Sequence, residues 1–197
     1  RRFNFYYRIA WNEWLRRINM RRFLVSVFEV LEVALVAVAA VFLIRTFLVQ
    51  PFFVLGASME PNFANGDYLI IDEASYRIGD PQRGQVIVFK YPLNPKDYYI
   101  KRIIGLPGET VMIKEGKVYI KNADSPEGFL LDETTYINEY TSNDQEVTLR
   151  EDEYFVLGDN RDASSDSRAW GVLNRDFIVG KAWIRAFPFN QFEIYDF

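Results

Sequence analysis

The stretch DYYIKRIIGLPGETVMIKEGKVYI (97–120) decides the fold class, because short segments of strand-forming residues alternate in it with tight turns. Valine, isoleucine and tyrosine, which favour strands, dominate DYYIKRII (97–104) and the residues on both sides of KEGK (114–117). The glycines and the proline of GLPGE separate these segments, and KEGK predicts a tight hairpin turn. The stretch therefore predicts one strand followed by an antiparallel hairpin.

The same pattern of short, apolar, turn-bounded segments recurs on both sides of this stretch. The further predicted strands are DYLIID (67–72), QVIVFKY (85–91), EYFVLG (153–158) and KAWIRAFPF (181–189). Strands at this spacing predict a mainly β fold, with coiled antiparallel sheets or a small barrel-like domain over residues 51–197. Residues 121–150 are polar and rich in turn residues, which predicts a small subdomain inserted into that β domain.

The first fifty residues differ in composition from the rest of the chain. Residues 1–27 contain seven arginines and one acid, a net charge of +6, whereas the remainder carries −10. The apolar run that follows contains Glu29 and Glu32, and it is long enough to cross a hydrocarbon core of about 30 Å. We predict a transmembrane anchor over 28–50, with a buried or interfacial amphipathic helix as the alternative.

The excess of arginine before the anchor sets the expected orientation, because positively charged flanking segments stay in the cytoplasm. We therefore expect a single-pass protein of the cell (plasma or inner) membrane, with residues 1–27 in the cytoplasm and the β domain on the other side. The segment does not resemble a cleaved signal peptide, since its basic region is long and no small-x-small site follows the apolar run.

Two residue types are missing from the chain, which has no cysteine and no histidine. Disulfides and thiolate catalysis are therefore excluded, and carboxylates are the only strong metal ligands left, which argues against a zinc site. We predict no metal and no cofactor. The acidic β domain also argues against nucleic-acid binding, despite the basic N-terminal segment.

A candidate nucleophile, Ser58, lies in GASMEPNF (56–63), a short loop of small and turn-forming residues. With no histidine, another side chain has to take its proton, and a lysine serves when burial lowers its pKa. Strand alternation places Lys101 and Arg102 on opposite faces, each between large apolar residues, and does not tell which of them is buried. Chemistry favours Lys101, because an arginine is not deprotonated in a protein, and an ordinary surface lysine is the alternative.

A third stretch, GDNRDASSDSRAWG (158–171), concentrates acids, serines and arginines directly after a predicted strand. A turn-rich loop with capping side chains is one interpretation. A calcium loop is excluded, because Ser167 stands where that motif needs glycine and Leu173 where it needs glutamate. A support loop for catalysis is the third interpretation, in which a serine bonds the lysine and an Asp–Arg pair pins the loop.

Together these stretches resemble the type I signal peptidases, the Ser–Lys membrane proteases that remove signal peptides. The motifs of that family correspond to SMEP (58–61), GQVIVF (84–89), KRIIGLPGE (101–109) and the whole of 158–171. They occur in the order of the family, behind a basic tail and an apolar anchor. The resemblance covers about residues 21–190.

The resemblance implies a role for each matching residue. Ser58 would be the nucleophile and Lys101 the general base. Five residues of the third stretch would support them: Asp159, Asn160, Ser164, Asp166 and Arg168. Ser164 would hold the lysine amine, and Asp166 would form an ion pair with Arg168. The main-chain N–H of Ser58 would supply half of an oxyanion hole. Gly56 stands where some members carry a serine that completes this hole, so the second donor is unassigned.

The implied activity is that of a serine endopeptidase, which cleaves signal peptides from exported preproteins after small residues, in an Ala-x-Ala-like pattern, through an acyl-enzyme. The implied partners are preprotein signal peptides and the lipid bilayer. The predicted walls of small substrate pockets are Phe53, Met59 and Ile100. Two alternatives share parts of the pattern: a self-cleaving repressor-type Ser–Lys protein, which would need a DNA-binding module, and a catalytically inactive membrane-anchored β domain that binds partners.

Overall fold

The computed structural model describes Arg22 and residues 24–41, 49–137 and 139–196, with the main chain only for Val49. The chain divides into two compact units, Arg1–Thr46 and Phe47–Phe197. The predicted basic segment 1–27 lies outside the described residues except for Arg22 and 24–27. Its cytoplasmic placement therefore stays a prediction.

The first unit contains helix α1, Leu24–Val41, whose side chains are all exposed. Eighteen residues at 1.5 Å each give a length of about 27 Å, and the helix is long and apolar enough to cross a membrane. The chain is already helical four residues before the predicted anchor, 28–50. The last two residues of that predicted anchor belong instead to a strand of the second unit, because they pair with Asp72 and Ile71.

The second unit is built from short antiparallel strands. Within its described residues the strands are β1 (Val49–Phe53), β2 (Tyr68–Asp72), β3 (Val86–Tyr91), β4 (Asn94–Gly105), β5 (Thr110–Lys114), β6 (Lys117–Lys121), β7 (Phe129–Leu130), β8 (Gln145–Thr148), β9 (Glu153–Leu157), β10 (Leu173–Asn174), β11 (Ile178–Phe187) and β12 (Glu193–Ile194). Two short helices are α2 (Ser75–Ile78) and α3 (Ser167–Trp170), and 3₁₀ turns cover Arg175–Phe177 and Phe189–Gln191. The prediction of a mainly β fold made of antiparallel sheets is confirmed.

Eight strands form one sheet in the order β1-β2-β11-β3-β4-β9-β10, with β12 paired to β11. Although β11 comes late in the chain, it lies between β2 and β3 because it pairs with both. The sequence did not identify β1 as a strand. Its Pro51 is tolerated because β1 is an edge strand, which can lack one main-chain donor.

Four strands form a second sheet in the order β7-β6-β5-β8. The hairpin predicted at KEGK joins β5 to β6, with Glu115 and Gly116 at positive φ in the turn. The predicted insertion, 121–150, contributes β7 and β8, so the subdomain begins earlier than expected, at Thr110. The reason is that β5 pairs with β6 and β8 rather than with a strand of the first sheet.

The core covers both faces of the middle of the first sheet. Four consecutive residues of β3, Val86 to Phe89, are all buried. They alternate between two apolar clusters, with Val88 in the one that contains Met59 and Ile87 in the one that contains Ile103. β4 pairs with β3, so the part of β4 beside Val86 to Phe89 is covered on both faces of the sheet. A polar side chain there is buried whichever face it points to.

Candidate active site

The loop between β1 and β2 carries Ser58, whose side chain is partly exposed. The main-chain carbonyl of Ser58 accepts a 3.1 Å hydrogen bond from the N–H of Asn160. Gly56 has a positive φ of 93°, which glycine adopts without strain, and its N–H donates to Asn65 Oδ1 at 2.9 Å. The loop is thus held at two points, and the N–H of Gly56 is already engaged rather than available as a second oxyanion donor.

Lys101 lies in β4 and only 3% of it is exposed. Its Nζ is 2.8 Å from Ser58 Oγ and 2.8 Å from the carbonyl oxygen of Ile100. Burial lowers the pKa of Lys101 from 10.5 to about 8, against the opposing effect of the carboxylates of Asp166 and Asp159. The neutral amine that a general base requires therefore becomes abundant just above neutral pH.

Arg102 is buried as well, on the opposite face of β4, so the structure buries both of the residues between which alternation did not decide. Its guanidinium donates to the carboxylate of Asp159 at 2.8 and 2.6 Å and to the carbonyl of Gly84 at 2.7 Å. A two-pronged contact of this kind compensates a buried charge. Among the described residues, by contrast, no carboxylate lies within hydrogen-bonding distance of Lys101.

Asp159 joins β4 to the loop of the nucleophile. Besides its ion pair, Asp159 accepts a 2.8 Å hydrogen bond from Asn62 Nδ2, and the same Nδ2 donates to the carbonyl of Tyr136 at 2.7 Å. Asn62 follows Ser58 closely in the chain, so this contact restrains the far end of the loop. The predicted supporting residues Asp159 and Asn160 therefore contact the nucleophile loop at two points.

Asp166 and Arg168 form the ion pair that the resemblance implies, with two contacts of 2.8 Å between guanidinium and carboxylate. Both side chains are almost completely buried. Asp166 also accepts the N–H of Gly158 at 3.1 Å, and Arg168 donates to the carbonyl of Arg161 at 2.5 Å. The pair therefore closes the loop 158–168 on itself.

Ser164 lies next to these residues, but not in the hydrogen bond that the resemblance implies. Its Oγ is buried and has no hydrogen-bond partner within the described part of the chain. It packs on Gly158, where an added Cβ would come within 2.2 Å of Ser164 Oγ and 2.4 Å of the carbonyl oxygen of Ser58. Ser164 is thus near the nucleophile, while the amine of Lys101 contacts Ser58 and Ile100 instead.

A groove of about 600 Å³ opens beside the contact between the serine and the lysine. Residues 52–58 form one wall and residues 96–101 form the other. The first wall includes the end of β1, an edge strand, and the second belongs to β4 before its pairing with β9 begins at Arg102. Within the described residues, no strand pairs with the free edge of either wall, so main-chain groups there face the groove.

The predicted pocket residues are divided between this groove and the core. Phe53 and Ile100 line the groove, and their role as walls of a substrate pocket stays a prediction. Met59 does not: it is 1% exposed and packs in a core cluster with Phe63. The reason is that Ser58 and Met59, as successive residues of the loop, face the groove and the core respectively. In the described residues no group of acidic side chains is arranged to hold a metal ion.

The sequence motifs agree with a known family of proteases. The sequence model described as "Signal peptidase, peptidase S26" matches residues 27–187, which include Ser58, Lys101 and the loop 158–168. The chain belongs to this signal peptidase family. The family resemblance predicted from the motifs is therefore confirmed.

Curated signal peptidases are similar to this chain over most of its length. A probable signal peptidase I-2 from Synechocystis sp. is 39% identical over 166 residues, which cover 80% of this chain and 73% of that protein. A signal peptidase IB from Staphylococcus aureus is 34% identical over 180 residues, which cover 84% of this chain and 93% of that protein. A crystal structure of a signal peptidase I from Enterococcus faecalis is 35% identical, with a TM-score of 0.44, over 53% of this chain and 97% of that chain.

Sequence reasoning missed the residues of the inserted subdomain that contact the site of this signal peptidase, above all Glu133 and Tyr136. Both lie in a polar, turn-rich segment that matches no motif. Glu133 pairs with Arg161, 28 residues along the chain, and the carbonyl of Tyr136 binds Asn62. Contacts across such separations leave no local signal in one sequence.

Proposed function

We propose that the protein is a membrane-anchored serine endopeptidase that cleaves signal peptides from exported preproteins after small residues. The observation that carries this proposal is the 2.8 Å contact between Ser58 Oγ and the buried Nζ of Lys101. Membership of the signal peptidase family supports the kind of substrate. In this proposal Ser58 is the nucleophile and Lys101 is the general base.

Acylation begins with a neutral Lys101. Its Nζ donates one N–H to the carbonyl of Ile100, and its lone pair accepts the proton of Ser58 while Oγ attacks the scissile carbonyl. The main-chain N–H of Ser58 donates to the oxyanion of the tetrahedral intermediate. The C–N bond then breaks, and the protonated Nζ gives its proton to the leaving amine.

Deacylation repeats the same steps with water as the nucleophile. Neutral Lys101 takes a proton from the water that attacks the acyl carbon, and the ester bond to Ser58 breaks as the proton returns to Oγ. The buried ion pairs of Arg102 with Asp159 and of Arg168 with Asp166 hold the surroundings of the amine in place. They also keep these carboxylates paired with arginines rather than with Lys101.

The shape of the groove supports an extended peptide with small side chains as the substrate. In the described part of the chain both walls carry strand edges without a neighbouring strand, and an extended peptide adds to such edges through main-chain hydrogen bonds. The rings of Phe52 on one wall and Tyr98 on the other lie with centroids 5.2 Å apart. This contact narrows the groove, which favours small side chains such as alanine in the bound peptide.

Helix α1 supports the proposed membrane anchor, because its apolar side chains are all exposed and its length matches a bilayer core. The excess of arginine before it predicts that the N-terminus is cytoplasmic. We therefore place the catalytic unit on the extracytoplasmic side of the cell membrane, where exported preproteins emerge.

The test is cleavage of a preprotein whose signal peptide ends in Ala-x-Ala, by the full chain in liposomes. Ser58→Ala and Lys101→Ala should each lower kcat by more than about a thousandfold. The matched control is Lys114→Ala, because Lys114 is an exposed lysine at the end of β5. A preprotein with phenylalanine in place of the last alanine should not be cleaved.

Two results would contradict the proposal. Folded, lipid-embedded wild-type protein that cleaves no preprotein would favour the alternative of a binding domain. Cleavage that survives Lys101→Ala would assign the base to another residue.

A further inference from the structure

Arg161 connects the loop of the support residues to the inserted subdomain. It is 2% exposed, and its Nε donates to the carbonyl of Gly158 at 3.0 Å. Its other nitrogens contact the carboxylate of Glu133 at 2.5 and 3.2 Å and donate to Thr141 Oγ1. A buried guanidinium needs such a partner, and Glu133 is the carboxylate that supplies it, with a side chain only 11% exposed.

Tyr136 makes a second connection from the same part of the subdomain. Its hydroxyl donates to Glu133 Oε1 at 2.9 Å, so one carboxylate binds both Tyr136 and Arg161. The ring of Tyr136 lies 4.2 Å from the guanidinium carbon of Arg102, and its carbonyl accepts the hydrogen bond from Asn62. Glu133 is therefore the point at which the two connections meet.

Both connections end on the nucleophile loop. On one side Arg161 binds Gly158, and Asn160, which stands between them, donates its N–H to the carbonyl of Ser58. On the other side Tyr136 binds Asn62, four residues after the nucleophile. The subdomain residues that make these connections do not contact Ser58 Oγ or Lys101 Nζ. They therefore act through the residues that they hold in place.

We infer that Glu133 is a positioning residue for Ser58: its carboxylate keeps Arg161 and Tyr136 in place, and their connections hold the nucleophile loop, at Ser58 and at Asn62, at the distance that Lys101 requires. The inference rests on the proposed peptidase function. Without the carboxylate, the buried charge of Arg161 loses its ion-pair partner, which draws the guanidinium towards water. The turn at 158–161 is then displaced with the guanidinium, and the hydrogen bond from Asn160 to Ser58 is displaced with it.

The experiment measures kcat and KM separately for preprotein cleavage by the full chain in liposomes. Glu133→Ala should lower kcat by about tenfold to a hundredfold, the effect of displacing a reacting group by about 1 Å, while KM changes little. Glu133→Gln keeps the shape of the side chain and one acceptor oxygen but loses the charge, so its loss should be smaller than that of the alanine variant. The matched control is Glu127→Ala, because Glu127 is an exposed glutamate of the same subdomain.

A double variant shows whether the residues act together. Because Glu133 acts through Arg161 and also holds Tyr136, Glu133→Ala combined with Arg161→Ala should lose more kcat than Arg161→Ala alone but clearly less than the product of the two single losses. Independent effects that multiply would overturn the inference. Thermal unfolding of each variant separates a displaced loop from an unfolded chain, and Glu133→Gln decides the question if the alanine variant does not fold.

The outcomes distinguish this inference from the function on which it rests. If wild-type protein fails to cleave, or cleaves without Ser58 and Lys101, the proposed function itself falls. If wild-type protein cleaves as proposed but both Glu133 variants match Glu127→Ala in kcat, the positioning role is wrong. A loss of activity that follows only the unfolded fraction of each variant would also overturn it.

Discussion

The burial of Lys101 predicts that the rate of cleavage rises steeply with pH below about pH 8 and levels off above it. With a pKa of about 8, the neutral fraction of Lys101 is about 1% at pH 6, about 10% at pH 7 and about half at pH 8. We expect kcat/KM to rise about fiftyfold from pH 6 to pH 8 and only about twofold from pH 8 to pH 10. A lysine with the ordinary pKa of 10.5 would instead give a rise of about tenfold per unit up to pH 9 or beyond.

The assay is the initial rate of cleavage of a signal peptide without titratable side chains, at constant ionic strength and at substrate concentrations well below KM. Under these conditions the rate reports the pKa of the free enzyme. Lys101→Arg is the matched variant, because its guanidinium keeps the charge and is not deprotonated up to pH 10. A profile that is flat between pH 6 and pH 8, or activity in Lys101→Arg, would refute the assignment of the base.

Three further predictions test stability, packing and attachment. Lys101→Met should abolish activity yet raise the unfolding temperature near pH 6.5, because folding of the wild-type protein buries an ammonium group at that pH. The pKa of Lys101 is lower in the folded than in the unfolded protein, so the wild-type protein gains stability between about pH 8 and pH 10.5. The advantage of the methionine variant, measured by calorimetry, should therefore shrink over that range. Gly158→Ala should lower kcat about tenfold or more in the cleavage assay, because the added Cβ would lie 2.2 Å from Ser164 Oγ. The control Gly79→Ala should resemble wild type, because the nearest atom to its added Cβ is 3.6 Å away. Deleting residues 24–41 should move the protein from the membrane pellet to the supernatant on ultracentrifugation, and a variant that still sediments with lipid would contradict the single anchor.

Most strands of the second unit could be predicted because valine, isoleucine and tyrosine mark them locally. β1 could not, since VQPFF (49–53) continues the apolar run of the anchor and contains Pro51. Only its pairing with β2 makes it a strand. The start of the second sheet at Thr110 was missed for a similar reason, because the choice of partner by β5 depends on residues 145–148, far along the chain.

The contact between Ser58 and Lys101 could be anticipated for a chemical reason. A chain without histidine leaves few bases for Ser58, and a lysine among apolar strand residues meets the requirement that its pKa be lowered. The burial of both Lys101 and Arg102 was not predictable, because the alternation of side chains along a strand tells buried from exposed residues only where one face of the strand is exposed to solvent. Met59 was assigned to the pocket because it adjoins the nucleophile, but neighbours in a tight loop point to different sides.

The position of β11 in the first sheet has a consequence for when this protein can act during its own synthesis. Within the described residues, β11 is the strand that joins β1 and β2 to β3, β4, β9 and β10. Ser58 lies in the loop between the two strands of the first group, and Lys101 belongs to β4 in the second. A ribosome makes β11 after all of these strands, so a growing chain carries the proposed nucleophile and the proposed base on two pieces of sheet that no strand yet connects. Proteolytic competence therefore arrives late and all at once, after residues 178–187 have emerged and inserted between strands made long before them.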